Sequence, residues 1–138
     1  MSTKLITGKL YKKVGRDEVY YFDQDTLRYV QSIDTLNGVF DGVLQESPTI
    51  DALIDGAPKG DPIVPGSYLA KSEISDTVYF IDSLGGAVKK RAISTSPVFE
   101  ARSFKWSTIM TVPWLTLGAI PDGPAITIGY DDNGNPIT

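Results

Sequence analysis

The 138-residue sequence contains neither cysteine nor histidine. Without cysteine, the chain can form no disulfide and no thiolate metal site, which excludes a small scaffold held together by disulfides. Without histidine, neither the Ser-His-acid nor the Cys-His nucleophile system can be built, and the imidazole ligands common in metal sites are missing. We therefore expect a protein that is not an enzyme, with no catalytic residue, no metal and no cofactor.

The sequence also lacks an excess of basic charge and a long apolar run. Its net charge is -4 and its pI is about 4.7, whereas nucleic-acid-binding domains usually carry a basic face. No apolar run approaches the roughly 20 residues that cross a bilayer. Residues 1–10 lack the basic-then-apolar order of a signal peptide. We therefore expect neither nucleic acid nor a membrane as a partner.

Two residue groups could still carry chemistry. A pair of carboxylates suffices to hydrolyse a glycoside, but the Asp and Glu residues fall mostly in predicted turns and on polar faces, so a glycosidase is the third hypothesis. Residues 131–135 offer oxygen ligands for calcium, yet they lack the alternation and the terminal Glu of an EF-hand loop. The sequence Asp132-Asn133-Gly134 favours a hairpin turn instead.

What the sequence does contain is an internal repeat of roughly 60 residues, found by comparing the chain with itself. Order, residue type and spacing recur together in segments of the two copies: residues 10–23 with 69–82, 27–30 with 90–93, 49–53 with 111–115, and 58–60 with 121–123. We interpret this agreement as a duplication. The alternative is two similar meanders.

The repeat predicts a strand-rich α+β fold in which each copy is a three-stranded antiparallel meander followed by one or two short helices. Residues 1–63 would form the first unit with an N-terminal arm, residues 64–126 the second unit, and residues 127–138 a C-terminal hairpin or extended arm. The whole chain would be one compact domain. The helices are predicted from the Ser-Pro pairs at residues 47–48 and 96–97 and from the Pro at 113. Proline is favoured in the first turn of a helix.

The predicted core and the predicted arms follow from the same alignment. The core residues are expected to be Val78, Phe80, Ile93, Phe99 and Leu115 in one copy, equivalent to Val19, Tyr21, Val30, Leu36 and Leu53 in the other. Residues 1–6 and 130–138 have few large apolar anchors. We therefore expect both arms to be ordered by neighbouring chains.

The candidate partner-binding residues are repeated Tyr and Arg positions and isolated aromatics: Tyr20, Arg28, Tyr79, Arg91, Trp106, Trp114 and Tyr130. Arg28 and Arg91 point to the same face of their predicted strands as apolar residues. Each is therefore predicted either to brace the packed face against an Asp or an aromatic ring, or to contact a ligand. Trp106 and Trp114 either pack in the core or form an exposed platform for a sugar ring or a protein partner.

The second copy resembles a repeat module of secreted and surface proteins of bacteria and of phage virion proteins. The segments that carry the resemblance are Val78-Tyr79-Phe80-Ile81-Asp82, Lys90-Arg91-Ala92-Ile93, Val98-Phe99, Phe104-Lys105-Trp106, Val112, Leu115 and Pro121-Asp122-Gly123. The resemblance implies an add-on attachment unit rather than a catalytic domain, and the missing secretion signal favours the phage branch.

We therefore expect a structural accessory protein of a viral particle, such as a capsid decoration or a tail-associated component. It would be made in the host cytoplasm, reside in the virion, and bind other virion proteins or copies of itself in an oligomer or lattice. The alternative is a carbohydrate- or cell-wall-binding module at a cell surface, whose exposed aromatic residues stack on a glycan.

Overall fold

The computed structural model describes residues 4–138. The first half of the chain folds into a four-stranded sheet with two helices. Its elements are β1 (Leu10–Lys12), β2 (Val19–Asp23), β3 (Thr26–Val30), α1 (Ile33–Val39), β4 (Leu44–Gln45) and α2 (Pro48–Gly56).

The second half repeats this order of elements and adds a hairpin. Its elements are β5 (Tyr68–Ser72), β6 (Val78–Leu84), β7 (Ala87–Ile93), α3 (Ser96–Ala101), a 3-10 turn (Trp106–Thr108), β8 (Met110–Val112) and α4 (Trp114–Gly118), followed by β9 (Gly129–Tyr130) and β10 (Pro136–Ile137). The predicted strand-rich α+β class is confirmed.

The two large sheets have the same topology. Their strand orders are β3-β2-β1-β4 and β7-β6-β5-β8, and in each the fourth strand pairs in parallel with the first. The predicted three-stranded meanders are therefore present but incomplete, because the short parallel strands β4 and β8 were not predicted. The shared topology agrees with the repeat in the sequence, and the duplication itself stays a prediction.

The outer edges of β3 and β7 are covered in the same way. Leu27 N donates to Pro58 O at 2.9 Å, and Lys90 N donates to Pro121 O at the same distance. Further along, Ile63 bridges Val30. Ile126 bridges Ile93 in the equivalent place. The chain that follows α2 or α4 thus runs alongside its own sheet. Among the residues described, the edge strands of the two large sheets that lack such a neighbour are β4 and β8.

Side-chain caps fix where the helices begin. Ser47 Oγ accepts a hydrogen bond from Ile50 N at 3.1 Å, and Pro48 occupies the first turn of α2, as the sequence predicted. Helix α3 is capped by Thr95 rather than by Ser96. Helix α1, capped by Ser32, was not predicted.

One apolar core joins the two sheets. Both halves contribute equally to it: Leu10, Val19, Tyr21, Val30, Val39, Phe40 and Ile63 from the first, and Leu69, Phe80, Ile93, Val98, Phe99, Phe104 and Ile126 from the second. The two predicted clusters are therefore a single cluster, with Leu36 and Val78 packed at its margin. Neither half has a core of its own of comparable size.

The prediction for Leu115 is wrong. Helix α4 has only five residues and turns Leu117 toward β5 and Ile81, which leaves Leu115 on the opposite face with 69% of its surface exposed. In the first half the buried helix residue is likewise Ile54, and Leu53 is only half-buried. Both helices cover the outer face of their sheet.

Both arms are anchored within the domain. Ile6 is buried, and its backbone N donates to the Tyr11 hydroxyl at 2.8 Å. The predicted C-terminal hairpin forms as β9 and β10, and it packs on α3 through Gly129, which lies against Ala101. The prediction that neighbouring chains order the arms is therefore wrong for their described residues. The part of this prediction that concerns residues 1–3 lies outside the described residues.

Candidate functional site

A buried network of five charged side chains lies between the two sheets. Asp23 ends β2 and Asp82 lies in β6, while Arg28 and Arg91 lie on the neighbouring strands and Arg102 follows α3. Arg28 donates to the two oxygens of Asp82 at 2.6 and 2.7 Å, and Arg91 donates to Asp23 at 2.8 Å. Arg102 donates to the other oxygen of Asp23 at 3.1 Å. All five side chains are buried.

The network pairs each arginine mainly with the aspartate of the other half. The Nε atoms of the two strand arginines are held equivalently, since Arg28 Nε donates to Asp61 O at 2.8 Å and Arg91 Nε donates to Pro124 O at 3.0 Å. These two arginines are therefore the internal braces that the sequence offered as one alternative. Buried in this way, they are not open to an external ligand.

The electrostatics of the network favour structure over acid-base chemistry. Burial alone would raise the pKa of Asp23, but the guanidinium of Arg91, with those of Arg102 and Arg28, holds that pKa below its ordinary value. Burial likewise opposes the charge of Arg28, yet the carboxylate of Asp82 keeps its pKa raised. A glycosidase needs one carboxyl group with a raised pKa. Asp23 is shifted in the opposite direction.

Arg102 makes the network unbalanced, with three guanidinium groups against two carboxylates. Its Nε donates to Ile128 O at 2.7 Å, while its Nη2 is buried without a hydrogen-bond partner. At the spacing that aligns Leu36 with Phe99, the first half has Val39 at this position. Arg102 therefore ties the network to the chain leading into the C-terminal hairpin.

A surface groove of about 720 Å³ opens in the second half, between β6, β7 and α3. We call it the Trp106 groove. Its lining residues are Lys71, Asp76, Thr77, Val78, Ile93, Ser94, Thr95, Ser96, Phe99, Trp106 and Ile109. Trp106 packs against the buried Phe99 with tilted rings whose centroids are 4.0 Å apart, and it still exposes 47% of its surface. Such a volume lies within the range of ligand pockets, roughly 300–1,000 Å³.

The first half has a smaller groove of about 440 Å³ in the equivalent place. Its lining shares the sequence pattern of the Trp106 groove, with Lys12, Asp17, Val19, Val30 and Leu36 at positions equivalent to Lys71, Asp76, Val78, Ile93 and Phe99. It has no tryptophan, and its aromatic lining residue is Tyr29. The tryptophan is therefore specific to the second half.

The other candidate residues lie apart from this groove. Trp114 begins α4 and is half exposed, and its backbone N donates to the carboxylate of Glu73 at 3.0 Å. Tyr20 is half-buried against Tyr29 on the outer face of the first sheet. Tyr79 is in the equivalent position of the second half, 5.9 Å from the Lys90 ammonium.

Tyr130, the last candidate residue, is half-buried in the C-terminal hairpin, where β9 pairs with β10. The structure thus brings Arg28 and Arg91 together and leaves the aromatic candidates on separate surfaces.

No family model, curated protein or solved structure matches this chain. Within residues 4–138, no helix has the length and apolar character needed to span a membrane. The same residues hold no cluster of three or more acidic side chains that could bind a metal ion. The site must therefore be interpreted from its own geometry.

Sequence reasoning missed four exposed apolar residues on or just beyond the two free edge strands. Met110 lies on β8, with Leu115 beyond it, and Val43 and Leu44 lie at β4; Trp114, already a candidate from the sequence, is exposed next to Leu115. For Met110 and Leu115, the signal that could have found them is the concentration of large apolar residues in 106–115, which does not follow the spacing of a buried helix or strand.

Proposed function

We propose that this chain is a non-enzymatic structural accessory protein of a viral particle, a capsid decoration or tail-associated component that binds a repeated protein lattice. One observation carries the proposal: exposed apolar residues lie on the free edge strand of both large sheets or next to it in the chain. They are Met110, Trp114 and Leu115 beside β8, and Val43 and Leu44 beside β4.

A free strand edge is a template for association. Its unpaired backbone N–H and C=O groups can accept an extended segment of another chain as a further strand, while neighbouring side chains supply specificity. Soluble proteins usually protect such an edge with charged residues. Strand β8 has the sequence Met110-Thr111-Val112 and carries no charge. This edge therefore favours a protein partner.

The equivalent arrangement of the two halves supports a repeated partner. Each chain presents one free parallel edge strand per sheet, β4 and β8, so a single copy has two attachment surfaces of the same type. Two linked weak contacts bind far more tightly than one when the partner displays its sites at a matching spacing. A lattice of identical subunits provides that repetition.

The buried network supports a structural role as well. Ion pairs from Arg28 to Asp82 and from Arg91 to Asp23 cross between the halves, and they fix how one sheet is placed against the other. The distance between the two free edges is thereby fixed. A rigid spacing lowers the entropic cost of engaging two lattice sites at once.

The test is co-sedimentation of the purified chain with particles of its virus that lack it. Wild-type protein should bind to saturation at a fixed number of copies. Met110→Lys places a charge on the free edge of β8 and should weaken binding about tenfold or more. Val88→Lys is the matched control, because Met110 and Val88 are both 54% exposed but Val88 lies on β7. Absence of particle binding, or equal binding by both variants, would contradict the proposal.

A further inference from the structure

The Trp106 groove is separate in its chemistry from the free strand edges. It combines an aromatic ring, a row of hydroxyl groups and a balanced pair of charges. From this combination we infer that the Trp106 groove binds a neutral saccharide, which would give the protein a glycan-binding activity in addition to the proposed lattice attachment.

The aromatic ring is held in place for stacking. Phe99 is buried in the central core and packs against one side of Trp106, with an angle of 32° between the ring planes. Trp106 also lines the groove and keeps 47% of its surface exposed. A flat, apolar surface fixed in this way matches the C–H face of a sugar ring, and its preorganisation limits the entropy lost on binding.

The hydroxyl groups lie on the wall where β7 leads into α3. Ser94, Thr95 and Ser96 are consecutive and exposed, and Thr77 lines the groove as well. Thr95 Oγ1 accepts a hydrogen bond from Val98 N at 3.3 Å, which leaves its own proton to donate. Hydroxyl groups both donate and accept, as the hydroxyl groups of a sugar do.

The charges indicate a neutral ligand. Lys71 and Asp76 are the charged residues that line the groove, and their Nζ and Oδ1 atoms lie 3.9 Å apart. Because one positive and one negative group are adjacent, the groove offers no net charge to attract a sulfated, phosphorylated or uronic acid ligand. The apolar floor of Val78, Ile93 and Ile109 completes a mixed surface typical of small-ligand sites.

The groove in the first half provides an internal comparison. In place of the three consecutive hydroxyl residues it has Gln31, Ser32 and Ile33. The hydroxyl of Ser32 is already used, since it accepts from Thr35 N at 3.0 Å and donates to Thr35 Oγ1 at 2.9 Å. The aromatic residue of this groove is Tyr29 rather than a tryptophan, and the free hydroxyl row is missing. We therefore expect no saccharide binding there.

The experiment is an NMR titration of the full chain with neutral oligomers of glucose, mannose, galactose and N-acetylglucosamine, each up to about 1 mM. At least one series should shift the amide signals of residues 93–99 and 106–109, and should leave those of residues 30–36 unchanged. A uronic acid oligomer and an apolar peptide are included as competing ligand classes.

Variants distinguish this site from the lattice surface. Trp106→Ala should weaken saccharide binding about tenfold or more, and Ser94→Ala about 2- to 10-fold, whereas Trp114→Ala and Met110→Lys should bind like wild type. Ser94 is exposed, so its variant keeps the test valid if Trp106→Ala fails to fold. Binding by no neutral oligomer, binding of the peptide or the uronic acid oligomer instead, or loss through Trp114 rather than Trp106 would overturn the inference. A loss of particle binding without a loss of saccharide binding would contradict the proposed lattice attachment and not the saccharide site.

Discussion

Arg28 in the first half donates through Nη1 and Nη2 to the two carboxylate oxygens of Asp82 in the second half, at 2.6 and 2.7 Å. A planar guanidinium opposite a carboxylate gives two parallel hydrogen bonds and a fixed mutual orientation. Arg91 and Asp23 pair across the halves in the other direction, and longer pairs at 3.2 and 3.3 Å join Arg28 to Asp23 and Arg91 to Asp82 within each half. The two sheets are therefore held together by charges that the halves share.

Removing one carboxylate should expose the dependence of the fold on this network. Asp82→Asn leaves three buried arginines with Asp23 as their remaining aspartate partner, so the free energy of unfolding should fall by about 3–5 kcal/mol. Urea denaturation followed by tryptophan fluorescence measures it. Asp76→Asn is the control, because Asp76 is exposed and pairs with Lys71 at the surface, where no measurable change is expected. Equal stability of the two variants would disprove the structural role of the network.

Arg102 should be more replaceable than Asp82. Arg102→Met leaves two arginines and two aspartates in balance and removes a buried nitrogen that has no partner. The expected loss is about 1–3 kcal/mol, because the Ile128 carbonyl loses its donor. In the Asp82→Asn background the same change should cost less, since it then removes an uncompensated cation. Urea denaturation of the four proteins completes the cycle, and a loss as large as that of Asp82→Asn would contradict this expectation.

The sequence predicted the meanders because their strands have a local pattern. Apolar residues point to both faces of the predicted strands in Val19 to Asp23 and in Val78 to Asp82. Both segments become interior strands of a sheet. Strands β4 and β8 have two and three residues, too few for any periodicity, and their parallel pairing is set by tertiary contacts. Helix α1 was missed because Asn37 and Gly38 are poor helix formers.

The site was predictable only in part. Arg28 lies on the same side of its predicted strand as apolar residues, which indicated a packed face and an acidic or aromatic partner. No local pattern could show that this partner, Asp82, comes from the other half. The burial of Leu117 instead of Leu115 depends on the rotation of one helical turn, which a shift of a single residue changes. The Trp106 groove forms from four segments of the chain, so it exists only in the folded molecule.

Acid should destabilise the protein through Asp23. The pKa of Asp23 in the folded protein lies below its ordinary value of about 3.9, so the unfolded chain binds this proton more tightly. Its contribution is complete above about pH 5 and is lost as the pH falls through the folded-state pKa. Unfolding free energies measured between about pH 2 and 6 should decline on acidification, and less steeply in Asp23→Asn. Parallel curves for the two proteins would assign the effect to other groups.

The shared core should be sensitive at Phe80 and insensitive at Leu115. Phe80 is fully buried and packs against Phe40 and Phe104, with centroids 6.2 and 5.3 Å away. Phe80→Ala should lower the free energy of unfolding by about 3–5 kcal/mol. Leu115→Ala is the comparison, with an expected change within about 0.5 kcal/mol because the side chain is exposed. A loss below about 1 kcal/mol for Phe80→Ala would show that the face between the sheets is not the core.

The C-terminal hairpin should detach when Gly129 gains a side chain. A Cβ at this position would overlap the Cβ of Ala101 in α3, and neither backbone can withdraw without breaking the pairing of β9 with β10 or of Arg102 with Ile128. Gly129→Ala should therefore cost about 1–3 kcal/mol and remove hydrogen-exchange protection from the hairpin amides first. Gly118→Ala is the control, because no atom lies within 4 Å of its added Cβ; its stability should stay equal or rise slightly. If the hairpin amides of Gly129→Ala kept their protection, the hairpin would be stable without its contact to α3.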